Sequence, residues 1–210
     1  MALLSACGSS SDDAGMVNGN GTQENPSSFE PRDFPESLTG GNGYLAVCTR
    51  RKTGPRCVSA PVAQWPLQVF TNIANRSEQQ HMDAIKVLLD GYGLNDPVID
   101  DRIGAFTDPA VASLYQQLVT RGLRSSSEAL QVGAYIEEYD LLDLEAAIRE
   151  ARAGTNPEPV ITTYQQLACG SRNHLRAFVK QLDRYQAQLM EQDAVELVTG
   201  SEQEDCGSSR

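Results

Sequence analysis

The sequence predicts an all-α fold, and the spacing of its apolar residues is the main reason. From about Trp65 to Leu197, apolar residues recur every three or four positions, as they do on one face of a helix. No run alternates apolar and polar residues for long enough to form a strand. Helix boundaries are also marked, since Ser125 and Glu128 have the spacing of an N-terminal capping box. A chain of 210 residues has room for one such helical domain and its tails.

Composition excludes several classes of function. The chain carries 17 Lys and Arg against 28 Asp and Glu, a net charge of -11, which argues against nucleic-acid partners and against binding to an anionic membrane face. Its apolar runs are too short to span a bilayer. The five cysteines form no Cys-x-x-Cys pair, so a zinc ribbon and a thioredoxin-type site are excluded.

The two ends of the chain predict its domain organisation. Residues 1–7 end in Leu4-Ser5-Ala6-Cys7, which looks like a bacterial lipobox, and we interpret them as a truncated lipoprotein signal with Cys7 as the lipidated residue. The alternative is a tail that contains these four residues by chance. Lipidation would place the protein on the periplasmic or extracellular face of a bacterial cell envelope, with the lipid anchor as its only contact with the membrane. Composition predicts a disordered linker over 8–43, a helical bundle over 44–198 and a disordered tail over 199–210.

Three long helices and one short helix are predicted within the bundle. The long helices run from near Phe70 to Gly91, from Ser125 onwards, and from about Val160 to Met190. The short connecting helix starts at Thr107-Asp108-Pro109, a capping residue before a proline.

Each long helix carries polar residues on its apolar face. These inward-facing residues are Glu78, His81, Glu137, Asp140 and His174. By the same spacing, Glu128 is interpreted as a helix cap, and Glu138 and Asp143 are expected to be solvated.

The five inward-facing residues admit two interpretations. A core histidine alone more often bonds a neighbouring carboxylate than a metal, and a single Glu at the edge of an apolar face often reaches water. Three buried carboxylates together need positive charge, because each unpaired one costs several kcal/mol, and the apolar faces supply no Lys or Arg. Helical bundles build di-metal sites from Glu and Glu-x-x-His on facing helices, so we predict a divalent metal pair here.

The same residues lie in sequence blocks that together carry a family resemblance. The blocks are Phe70-Thr-Asn-Ile73-Ala, Ser77-Glu78-Gln79-Gln80-His81-Met82-Asp83-Ala84, Tyr92-Gly93-Leu94-x-Asp96-Pro97, Gly104-x-Phe106-x-Asp108-Pro109, Glu128-Ala-Leu-x-Val-Gly-Ala134-x-Ile136-Glu137-Glu138-x-Asp140 and Gly170-Ser-Arg-Asn-His174-Leu-Arg-Ala-Phe178. Over about residues 65–190 the chain resembles an uncharacterised bacterial and archaeal ferritin-like family, a domain of unknown function (2202). The resemblance implies an up-down four-helix bundle with an extra short helix and a candidate di-iron or di-manganese centre, and it implies no known reaction.

The sequence departs from the family pattern in two places. Ser171 stands where related bundles offer the Glu of Glu-x-x-His on the last helix. The family also opens with an acidic first helix, whereas this chain has a basic stretch from Cys48 to Pro61 with Gly54-Pro55 in its middle, which opposes a continuous helix. Back-translation in the next reading frame restores the expected acidic motif, so we interpret about residues 46–62 as a compensated frameshift. The alternative is a divergent loop.

Two functions therefore remain open. The first is a cell-envelope di-metal carboxylate protein that oxidises iron or reduces oxygen or peroxide, in which the carboxylates bridge the metals and His81 and His174 each cap one. The second is a non-catalytic envelope adaptor with no metal or a structural metal only, which the absent first-helix carboxylate favours. The sequence leaves the oligomeric state open, a homodimer included.

Overall fold

The fold is a set of packed α-helices. The computed structural model describes residues 64–73, 77–96, 106, 109–154 and 157–207, together with the backbone of 48–49 and 56–57. From residue 64 onwards the described residues form helices and their connections, so the predicted all-α class is confirmed. The helices are α1 (Gln68–Asn72), α2 (Glu78–Gly91), α3 (Pro109–Gly122), α4 (Ser126–Ala151), α5 (Glu158–Val179) and α6 (Gln192–Thr199).

Among the described helices, α4 and α5 form the most extensive contact, and α2, α3 and α6 pack around this pair. Helices α2 and α6 lie against α5, and α3 lies against α4. The capping box predicted for α4 is present, because the Ser125 hydroxyl accepts a hydrogen bond from the Glu128 backbone N–H at 3.1 Å. The core includes the fully buried side chains of Ile85, Tyr164 and Leu175.

One glycine allows α4 and α5 to approach closely. A Cβ atom built on Gly133 would lie 2.6 Å from the ring of Phe178, far inside van der Waals contact. The Phe178 ring also packs against Phe70 of α1, with 5.6 Å between ring centroids. The small residue at position 133 therefore sets how closely the two central helices pack.

The last long helix is shorter than the sequence predicts. A helix from about Val160 to Met190 was expected, but α5 ends at Val179 and the chain then turns back towards α4. The backbone N–H groups of Gln188, Leu189 and Met190 all donate to the Glu138 carboxylate, at 2.6 to 3.1 Å. In a continued helix these N–H groups would bond to backbone carbonyls four residues earlier, so the two arrangements exclude each other.

The same contacts correct the prediction that Glu138 is solvated. Its side chain is 0% exposed and also accepts a hydrogen bond from the Tyr185 hydroxyl at 2.5 Å. Sequence spacing placed Glu138 off the apolar face of α4, but the returning chain covers that side of the helix. The carboxylate is buried because several donors surround it.

The C-terminal segment is attached to α5, which corrects the predicted disordered tail over 199–210. Cys206 forms a disulfide with Cys169 of α5. Glu204 accepts hydrogen bonds from Arg172 and Arg176, and its backbone N–H donates to Asn173 at 2.9 Å. The two guanidinium groups hold the pKa of Glu204 down at about 2, Arg172 having the larger effect. Polar composition suggested disorder here, but a covalent bond and charged hydrogen bonds hold residues as far as Gly207.

Before residue 64, the structure describes four positions of the stretch that the sequence assigns to an irregular first helix. Strand β1 (Cys48–Thr49) pairs antiparallel with strand β2 (Arg56–Cys57), so these positions are extended. The rest of the proposed frameshift over 46–62 lies outside the described residues, as do the Cys7 lipobox, the linker over 8–43 and the cap at Thr107-Asp108. None of the helices in the described part of the chain has the length and apolar character needed to cross a membrane.

Candidate metal centre

Three helices bring the five predicted site residues into the interior. Helix α2 contributes Glu78 and His81 from one face, α4 contributes Glu137 and Asp140, and α5 contributes His174. All five are buried, with exposed fractions between 2% and 7%. Their inward orientation agrees with the sequence prediction.

Glu78, Glu137 and His174 form the centre of this cluster. The Nδ1 atom of His174 lies 3.1 Å from Oε1 of Glu78 and 3.3 Å from Oε1 of Glu137. One oxygen of each carboxylate and one nitrogen of His174 all lie within 4.8 Å of one another. Three potential ligand atoms from three different helices thus face a common point.

The second histidine lies beside this centre. The rings of His81 and His174 are 5.4 Å apart between centroids, and Nδ1 of His81 is 3.6 Å from Oε2 of Glu78. Burial first, and then the neighbouring His174, lower the pKa of His81 to about 3. His81 is therefore neutral at physiological pH, the form in which an imidazole nitrogen can bind a metal.

The protonation of the centre reflects a shortage of positive charge. Burial would lower the pKa of His174, but the Glu137 and Glu78 carboxylates outweigh it and raise the value to about 10. Burial raises the pKa of Glu137 to about 7 against the opposing effect of His174, and Glu78 adds to the rise. The pKa of Asp140 is raised by burial and then by Glu137, Glu78 and Asp143. A metal cation would supply the missing charge and would replace the proton on His174.

The hydrogen bonding of the cluster also fits a cation. Nδ1 of His174 has two carboxylate oxygens at 3.1 and 3.3 Å, which form ion pairs with the imidazole when it is protonated. The carboxylate oxygen Oδ1 of Asp140 has no hydrogen-bond partner among the described residues. Buried polar atoms normally have partners, so this set of oxygen and nitrogen atoms is well suited to a first-row divalent metal.

Two residues that sequence reasoning missed position the histidines. The Ser77 hydroxyl lies 2.6 Å from Nε2 of His174, which leaves Nδ1 facing the carboxylates. Gly170 of α5 allows close approach of His81, because a Cβ atom there would collide with the imidazole Nε2. Both residues lie in the blocks that carry the family resemblance, but their roles depend on contacts between helices that spacing along one helix does not reveal.

Fold and site together define a helical protein with a buried carboxylate and histidine cluster. The chain belongs to the family described as "Uncharacterized protein domain (DUF2202)", which matches residues 60–202 and confirms the predicted family of unknown function. It is 48% identical over 122 residues to the uncharacterized protein MJ0754 of Methanocaldococcus jannaschii, a match that covers 58% of this chain and 63% of that protein.

A crystal structure gives a second comparison. The fold is similar to that of the hypothetical protein MJ0754 from Methanococcus jannaschii DSM 2661, with a TM-score of 0.65 and 42% sequence identity. That similarity covers 70% of this chain and 83% of the solved one.

Proposed function

We propose that this is a ferritin-like protein whose buried cluster holds two iron or two manganese ions and reduces peroxide or oxygen. The observation that carries the proposal is the convergence of Glu78, Glu137 and His174 to within 4.8 Å of one another in a buried site. Three carboxylates are present with the two histidines, one carboxylate fewer than the four Glu and two His that hold di-metal centres in ferritin-like bundles.

Each side chain has a defined task in this proposal. Glu78 and Glu137 contribute negative charge between the helices, and His174 binds through Nδ1 while Ser77 fixes its ring through Nε2. His81 lies beside the first three residues, with its ring 5.4 Å from that of His174. In this proposal His81 and Asp140, which is buried three residues after Glu137 on α4, complete the ligands for two ions. When bound, a pair of ferrous ions supplies two electrons, one from each ion, which with two protons reduce one hydrogen peroxide to two waters.

The ferritin-like bundle is part of the proposal. Helices α2, α4 and α5 supply the five site residues, and ferritin-like bundles place their ligands on four facing helices. In this proposal the fourth position belongs to the acidic helix with which the family opens, and the frameshift that we infer over about 46–62 removes that helix from this sequence. A restored frame would then add a carboxylate to the centre.

We also propose a cell-envelope location, on two grounds. The Leu4-Ser5-Ala6-Cys7 sequence resembles a lipobox, and the Cys169–Cys206 disulfide is a feature of proteins from oxidising compartments. Labelling with radioactive palmitate in bacteria is expected to mark the wild type expressed with a complete lipoprotein signal before Cys7, and to leave its Cys7→Ala variant unlabelled. An unlabelled wild type that stays in the cytosol would refute the location and leave the metal proposal untouched.

Oxidation of ferrous iron tests the function. Metal-free protein is mixed with ferrous iron under argon and then with a limiting amount of hydrogen peroxide, and formation of ferric iron is followed by absorbance. The wild type is expected to oxidise two ferrous ions per peroxide faster than buffer does, and Glu137→Gln to fall to the rate of buffer. Glu145→Gln, at an exposed position of the same helix, serves as the matched control. Iron that binds without faster oxidation would favour a structural metal in a non-catalytic adaptor.

A further inference from the structure

The candidate centre is enclosed by protein, so a metal ion needs a route to it. Glu78, Glu137 and His174 are 4%, 2% and 6% exposed. A bare divalent cation does not cross apolar packing, because removing its hydration without replacement ligands is prohibitively costly. Side-chain oxygen atoms along a route would act as replacement ligands as the cation loses its water molecules one after another.

Three carboxylates on α4 lead from the centre towards solvent. Glu137, Asp140 and Asp143 are three residues apart, and each such step turns about 60° around the helix axis. Glu137 and Asp140 are 2% and 3% exposed, whereas Asp143 is half-buried. The carboxylates therefore move from the core face of the helix to its edge.

Two hydroxyl groups of α5 face the same interface. Ser171 and Tyr164 are both 0% exposed, although each carries a polar oxygen. Burial raises the pKa of Tyr164, and the charge of Asp143 raises it further, which places the phenol near that carboxylate. We call the set Glu137, Asp140, Asp143, Tyr164 and Ser171 the α4–α5 polar seam.

Buried oxygen atoms of the seam lack a hydrogen-bond partner. Oδ1 of Asp140 and Oη of Tyr164 have no hydrogen-bond partner among the described residues. Outside the seam and the centre, the described part of the chain has no other buried side-chain nitrogen or oxygen that lacks a hydrogen-bond partner. The unsatisfied atoms of the described residues are thus confined to the centre and to the seam that leads from it towards half-buried Asp143.

We propose that the α4–α5 polar seam is the route by which a divalent metal cation reaches the centre, with Asp143 as its outer binding position. The inference rests on the proposed metal centre, whose ligands Glu137 and Asp140 form the inner end of the seam, and it adds Asp143, Tyr164 and Ser171, which are not ligands of the final site. A cation is the appropriate occupant, since the seam has three carboxylates, two hydroxyls and no Lys or Arg. Hard oxygen ligands of this kind bind divalent cations at each step.

The rate of metal uptake tests the route. Metal-free full-length protein is mixed with cobalt(II) in a stopped-flow instrument, and uptake is followed by the visible absorbance of the bound ion. Asp143→Asn is expected to slow cobalt uptake about tenfold or more, which is the lower end of the effect that a carboxylate-lined approach has on association rates. The final cobalt content of this variant is expected to equal that of the wild type. Tyr164→Phe, which removes only a hydroxyl, is expected to slow uptake as well, and Asp143→Glu to restore most of the rate.

Glu145→Gln is the matched control, because it removes the same charge from an exposed position of α4. Uptake by Asp143→Asn and Tyr164→Phe at the wild-type rate would overturn the route while the metal centre stands. Equal slowing in Glu145→Gln would also overturn it, since net charge would then be the cause. Normal uptake with slowed peroxide reduction would identify the seam as a proton path and would contradict a cation route. A wild type that takes up no cobalt would contradict both the proposed route and the proposed function.

Discussion

Replacement of Glu138 by Ala is expected to lower the free energy of unfolding by about 3 kcal/mol. The carboxylate accepts hydrogen bonds from the Tyr185 hydroxyl and from three successive backbone N–H groups of residues 188–190. Its removal leaves these donors without their acceptor and opens a space beside α4. Urea unfolding followed by circular dichroism measures the change.

Glu145→Ala is the control for this experiment. Glu145 lies on the same helix, is exposed and pairs with Arg149 at 2.9 Å, so its removal is expected to change stability by no more than about 0.5 kcal/mol. A Glu138→Ala protein as stable as Glu145→Ala would show that residues 185–190 are not held by this carboxylate.

Loss of the Cys169–Cys206 disulfide is expected to lower stability by about 3 to 4 kcal/mol. The bridge joins residues 37 apart in sequence, and chain-entropy arguments give a loss of this size for a loop of that length. Cys206→Ser is the variant to compare, because residue 206 lies at the surface side of the bridge and Cys169 is buried. Thermal and urea unfolding of both proteins provide the measurement.

A reducing agent supplies the control. Dithiothreitol is expected to lower the stability of the wild type to that of Cys206→Ser and to leave the variant unchanged. Equal stability of the oxidised wild type and Cys206→Ser would contradict a stabilising bridge between the C-terminal segment and α5.

Local patterns predicted where the helices lie along the chain and the inward direction of the five site residues. Periodicity placed His81 and His174 on the inner faces of two helices, and the structure puts their rings 5.4 Å apart. This success has a simple cause, because helical spacing fixes which residues share a face. The cap at Ser125 was predictable for the same local reason.

Features that depend on chain reversal were not predictable. The burial of Glu138 and the early end of α5 both result from the contact between residues 185–190 and α4, which no local pattern encodes. The attachment of the C-terminal segment depends on which cysteines pair, and sequence spacing does not identify Cys206 as the partner of Cys169. Within the site, Ser77 was missed because its contact with His174 spans 97 residues.

The measurement that tests the central claim most directly is the iron content of the protein. The full chain is purified without metal, reconstituted with ferrous iron under argon, freed of unbound iron and analysed by inductively coupled plasma mass spectrometry. The proposed centre predicts about two iron ions per chain in the wild type and in Glu145→Gln, and less than one in Glu137→Gln. A wild type without bound iron or manganese, or a Glu137→Gln protein that binds as much as the wild type, would contradict a metal centre at Glu78, Glu137 and His174.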